Sequence, residues 1–189
     1  MSKIDQDKKE AFKACIRGAI REKCAEYTSK NGSIGYNEGK NIVAFVETVF
    51  MRYTKTVPKQ IKAADKLALA VIAPTKKEKM KLIKSVAASM SGVGGLAAIL
   101  TGIGTALGWG AGAVASVIAW FTGASMLGPI GWLFIGASLS VCAGYFYYSS
   151  SDAKDAERFE NVLISGLENA IDQIWNDYGS DLGSVTLDR

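Results

Sequence analysis

Hydrophobic positions recur with helical spacing along most of this chain. Phe12, Cys15, Ile16, Ala19, Ile20, Cys24 and Tyr27 trace one face of a first helix, with Lys and Glu opposite. The cluster Asn31-Gly32-Ser33-Ile34-Gly35-Tyr36-Asn37, closing with Gly39, reads as a turn. Ile42, Phe45, Val46, Val49, Phe50, Tyr53 and Val57 then keep i, i+3, i+4, i+7 spacing and predict the clearest amphipathic helix of the protein. Pro58 opens a third helix and Pro74 stops it, with Ile61, Ala64, Ala68, Val71 and Ile72 as its buried positions. Thr75 with Glu78 three residues on fits a capping box for a fourth helix. Far downstream, Phe159, Val162, Leu163, Leu167, Ala170, Ile171, Ile174, Trp175 and Tyr178 hold helical spacing again, and Gly179 is expected to end that helix. No alternating run is long enough for a strand. The pattern predicts an all-α helical bundle, with amphipathic outer helices around a central uncharged hydrophobic hairpin or three-helix core.

Between those helices lies the most unusual feature of the chain. From Ser85 through Ser151, 67 consecutive residues contain no Asp, Glu, Lys, Arg, Asn or Gln. Breakers divide this run into Val86–Leu107, a corner at Gly108, Gly110 and Gly112, Ala113–Leu127, a Gly128-Pro129 reversal, and Ile130–Tyr148. The three apolar pieces hold 22, 15 and 19 residues, against the ~20 that a transmembrane helix needs. Two or three spans, or an inserting hairpin, are compatible with those lengths. Gly94, Ala98, Gly102 and Ala106 recur every fourth residue, which lets helix backbones approach closely and makes them candidates for self-association or a protein partner. Trp109, Trp120, Phe121 and Trp132 fall toward the turns and Tyr145 to Tyr148 at the exit, as aromatic side chains do at a membrane–water boundary. The candidate membrane-inserting residues are Leu100, Ile103, Val114, Ile118, Trp120, Leu127, Gly128, Pro129, Trp132, Leu133 and Ile135. Lys76, Lys77, Lys79, Lys81 and Lys84 immediately precede the run and would add about 1 kcal/mol each beside an anionic leaflet. A soluble bundle that hides an apolar hairpin at its centre would show the same pattern, because a helix apolar on every side is buried in either setting.

Charge sharpens the picture. Residues 1–84 carry 19 Lys or Arg against 9 Asp or Glu, and residues 152–189 carry 3 against 9, so the net charge of +4 conceals a polarised chain. At 189 residues one domain is expected, with basic helices in 1–84, the apolar zone in 85–151 and an acidic helix and tail in 152–189. The absence of His removes Ser-His-Asp and Cys-His catalysis and His-ligated zinc. Cys15 and Cys24 on one helix stand about 13 Å apart along its axis, too far to bridge, and Cys142 is alone, so reduced thiols are expected. The charged N-terminus has no hydrophobic run, which predicts cytoplasmic synthesis without a cleaved signal peptide and a protein that is membrane-associated or released to act on a membrane.

Enzymatic chemistry finds no footing. The G-x-G-x-x-A matches at Gly92 and Gly110 follow no strand and have no acidic residue about twenty positions on. The pairs Glu157/Glu160 and Glu168/Asp172 read as solubilising carboxylates on an exposed helix face. The N-terminal lysines lack the interleaved aromatics of a nucleic-acid surface. No catalytic residue, cofactor or metal is predicted; the expected partner is a lipid bilayer, anionic by charge complementarity.

Taken together, the Lys-rich amphipathic helices, the Gly128-Pro129 reversal between two uncharged helices and the polarised charge resemble the channel-forming colicin domains. The resemblance is architectural and spans most of the chain. This sequence departs from it in an uncharged zone longer than one hairpin and in the acidic helix that follows. What the resemblance implies is a bundle that opens at a membrane and inserts its hairpin, with pore formation as one outcome. Two other classes fit the same sequence: a small resident multi-span membrane protein, and a soluble all-α interaction module of immunity, chaperone or adaptor type.

Overall fold

Prolines, a threonine cap and two left-handed residues, Gly32 and Lys55, set the helix ends. In the computed structural model, which describes residues 3–90, 99, 101 and 152–182, the described residues form five α-helices and no strand. They are α1 (Lys3–Asn31), α2 (Tyr36–Thr54), α3 (Lys59–Ile72), α4 (Lys76–Met90) and α5 (Asp152–Leu182). Pro58 stands at the N-cap of α3 with φ −57°. At the start of α4 the Glu78 amide donates to Thr75 Oγ1 at 3.2 Å, and that hydroxyl donates to Glu78 Oε2 at 2.9 Å. The cap expected from Thr75 and Glu78 is therefore made, although the carboxylate engages the hydroxyl rather than the Thr75 amide.

Four helix ends differ from the periodicity. Helix α1 starts at Lys3, well before Phe12, because Lys9 and Lys13 join its buried face. Helix α2 starts at Tyr36, so Gly39 lies in its first turn and not in the preceding loop. A Cβ at Gly39 would meet the side chains of Ile72, Leu69 and Phe159, so glycine serves close helix approach here. Helix α2 stops at Thr54, short of Val57; Thr54 Oγ1 lies 2.8 Å from the Phe50 carbonyl and 2.7 Å from that of Thr56, and Lys55 takes a left-handed φ of 59° as C-cap. Helix α5 runs through Gly179 to Leu182, whose full burial holds the final turn in place.

Packing is organised around α3. Ile61, Ala63, Ala64, Leu67, Ala68, Leu69, Ala70 and Val71 are all buried, so this helix is enclosed on most sides. It packs most extensively on α5 and then on α4, while α1 lies along α5. Phe12 of α1 joins three helices, edge-on to Phe50 of α2 at 5.8 Å and tilted against Trp175 of α5 at 6.2 Å. Burying an aromatic of this kind contributes about 1.5–3 kcal/mol from apolar area alone. Val86 and Ile99, both from the uncharged run, are fully buried in the same core cluster.

Candidate functional site

The cations of α1 recur every fourth residue at Lys9, Lys13, Arg17 and Arg21, which places them on one helix face. They meet a carboxylate stripe on α5. Lys9 and Lys13 both reach Asp172, at 2.9 and 2.6 Å, Arg17 Nε donates to Glu168 at 2.7 Å while its Nη2 engages the same oxygen, and Arg21 faces Glu160 at 3.6 Å. Numbers rise along α1 as they fall along α5, so the two helices run antiparallel. The Lys9 and Lys13 side chains are only 11% and 9% exposed. Partial burial pushes the Asp172 carboxyl up, but the hydrogen bonds from Lys13 and Lys9 outweigh it and hold the group below the usual Asp range. At the far end Cys24 donates to Glu160; burial first, then the neighbouring carboxylate, pushes the thiol to about 12, which leaves it protonated and unreactive. Glu160, Glu168 and Asp172, which read from sequence as solubilising, thus hold α1 to α5.

A second ionisable group is enclosed without such a partner. Asp65 of α3 is 1% exposed, and neither carboxylate oxygen has a hydrogen-bond partner among the described residues. Burial, reinforced by the charge of Glu47 on α2, raises it well above the ordinary Asp value. Enclosure therefore favours the protonated carboxyl of Asp65 over its carboxylate. The sequence held the signal, since Asp65 follows Ile61 by four residues and precedes Ala68 by three, on the apolar stripe.

The third feature is a basic face on α3 and α4. Residues 48–84 hold ten Lys or Arg and only two carboxylates: Asp65 is buried and Glu78 is engaged by Thr75. Lys59, Lys62 and Lys66 fall at i, i+3 and i+7 on α3, the first two exposed and the third half-buried. Lys77, Lys81 and Lys84 fall at i, i+4 and i+7 on α4, all exposed. Lys66 Nζ donates to Ser85 Oγ at 2.6 Å, which ties α3 to α4 where the uncharged run begins. Among the described residues no ion pair holds Lys59, Lys62, Lys77, Lys81 or Lys84.

Of the membrane-surface lysines read from sequence, α4 carries Lys76, Lys77, Lys79, Lys81 and Lys84; Lys79 is half-buried. Lys59, Lys62 and Lys66 were missed, although their spacing on α3 was visible. The insertion candidates Leu100, Ile103, Val114, Ile118, Trp120, Leu127, Gly128, Pro129, Trp132, Leu133 and Ile135 lie outside the described residues, as do Gly94, Ala98, Gly102 and Ala106. Among the described residues no helix is long and apolar enough to cross a membrane, and no group of acidic or cysteine side chains is placed to hold a metal ion. No family model, curated protein or solved structure matches the chain. The likeness to channel-forming colicin domains rests on the residues that carry it.

Proposed function

We propose that this protein is a membrane-associating helical bundle that delivers residues 85–151 into a bilayer as an apolar hairpin and opens a pore there. One observation carries the reading: 67 residues without a charged or amide side chain follow directly on the exposed lysines of α4. Such a run is compatible with hydrocarbon, where each buried charge would cost roughly 2.5–3.5 kcal/mol. The burial of Val86 and Ile99 in the bundle core supports a closed state in which part of the run is shielded from water. On this reading α1, α2 and α5 are the covering that must yield before insertion.

Release of an encapsulated dye from anionic vesicles, by protein purified without detergent, tests this directly. Wild-type protein is expected to release dye, and Ile118→Asp with Leu133→Asp to abolish release by placing charges within two of the apolar pieces. Release that is unchanged by both substitutions overturns insertion. A chain that requires detergent for extraction is instead a resident membrane protein, and one that purifies in buffer and ignores vesicles is an interaction module.

A further inference from the structure

The chain has many cations, and the structure separates those that are occupied from those that are not. On α1, Lys9, Lys13, Arg17 and Arg21 are committed to carboxylates of α5. On α3 and α4, the exposed lysines have no such partner among the described residues, and the Lys66–Ser85 hydrogen bond joins the Lys66 end of the α3 stripe to the Lys84 end of the α4 stripe. Helices α3 and α4 form an antiparallel hairpin about Pro74, so Lys62 and Lys59 lie progressively farther along α4 toward Met90 and the uncharged run.

We propose that Lys59, Lys62, Lys77, Lys81 and Lys84 form a single docking face for the anionic headgroups of a phospholipid surface, and that the cations of α1 take no part in docking. This rests on the membrane reading above and adds to it which charges make first contact. Charge complementarity selects the partner. The face lies at the root of the uncharged run, so a surface held against these lysines is presented directly with Ser85 and the residues that follow. Phospholipid supplies both the anionic layer and the hydrocarbon beneath it. A nucleic acid would satisfy the cations only, and the lysine stripes carry no exposed aromatic among the described residues on which a base could stack.

The test compares two variants of equal net charge. Lys59→Gln/Lys62→Gln/Lys81→Gln removes three cations from the face; Lys3→Gln/Lys8→Gln/Lys40→Gln removes three exposed cations elsewhere. Binding is measured by co-sedimentation with mixed phosphatidylcholine–phosphatidylglycerol vesicles at low salt, and unchanged urea midpoints verify folding. Each cation near an anionic surface is worth about fivefold in partitioning, so the first variant should lose about 100-fold and the second only a few-fold. Lys→Arg at the same three face positions should restore binding. Equal losses in both variants, or no loss in either, overturn the docking face. So does wild-type protein that binds duplex DNA but not vesicles. Wild-type protein that binds vesicles without releasing dye removes insertion and leaves the docking face standing. Full dye release by the face variant removes the docking face and leaves insertion standing.

Discussion

Helices α1 and α3–α4 each carry cationic stripes at helical spacing, yet the bundle treats them oppositely. The α1 stripe faces Asp172, Glu168 and Glu160 of α5 and is partly withdrawn from water. On α3 and α4, Lys59, Lys62, Lys77, Lys81 and Lys84 make no ion pair among the described residues and stay exposed. What a cationic stripe does is therefore set by its neighbour, since all of these stripes carry positive charge along one helix face. A stripe that meets carboxylates inside the bundle becomes a fastening. One left without them remains available to an external anion.

The sharpest way to break this contrast is to remove the shared carboxylate of the seam. Asp172→Ala leaves Lys9 and Lys13 close together, largely buried and without their α5 partner. Breaking a buried pair costs 3–5 kcal/mol, and because the Asp172 side chain is 42% exposed the loss in urea unfolding should be about 3 kcal/mol or somewhat less. Next in size is the pH dependence. Asp65 has a folded-state pKa raised above its unfolded value near 4, so the stability it contributes is complete below about pH 4 and is lost as pH rises through the folded pKa, at about 1.4 kcal/mol per pH unit. Asp65→Asn should flatten that decline. Asp172 works the other way: its folded pKa is depressed, so its contribution is present above about pH 4 and is lost as pH falls through the folded value. Acid thus loosens the α1–α5 seam while favouring the α3 core, and unfolding curves of the two variants across pH should separate these opposed slopes. Arg17→Lys should cost about 1 kcal/mol or less, since two guanidinium nitrogens engage one Glu168 oxygen at a partly exposed site. Smallest is Lys81→Gln, expected to shift the unfolding midpoint by no more than about 0.5 kcal/mol. Were it as costly as Asp172→Ala, the two stripes would not differ in the way described.

Much of this was legible from residue order. Pro58, Pro74 and the Thr75–Glu78 pair act within a few residues, so the limits of α3 and the start of α4 could be read locally. The buried faces of α1, α2 and α5 followed from spacing, with Phe12, Phe50, Phe159 and Trp175 all in the core. Gly39 was misread because Asn31 to Asn37 carries strong turn signals; what makes glycine fit there is a close approach to Ile72 of α3 and Phe159 of α5, far away in sequence. Glu168 and Asp172 were misread for a similar reason, since a carboxylate on a helix face looks solvated until the cations opposite are known. The clue lay in two stripes of opposite sign spaced at multiples of four residues, which becomes meaningful only once α1 and α5 are placed antiparallel. Asp65 could have been found from spacing alone, although its lack of a partner required the fold.

The central claim concerns where residues 85–151 go when the protein meets lipid, and tryptophan fluorescence addresses it most directly. Three of the four tryptophans, Trp109, Trp120 and Trp132, lie within that run, and the fourth, Trp175, is buried in α5 beside Phe12. In a Trp175→Phe protein every tryptophan signal comes from the run. On addition to anionic vesicles carrying brominated acyl chains, the account predicts quenching of that emission by the bromines. Emission that is unquenched by the acyl chains, in protein that sediments with the vesicles, would contradict it.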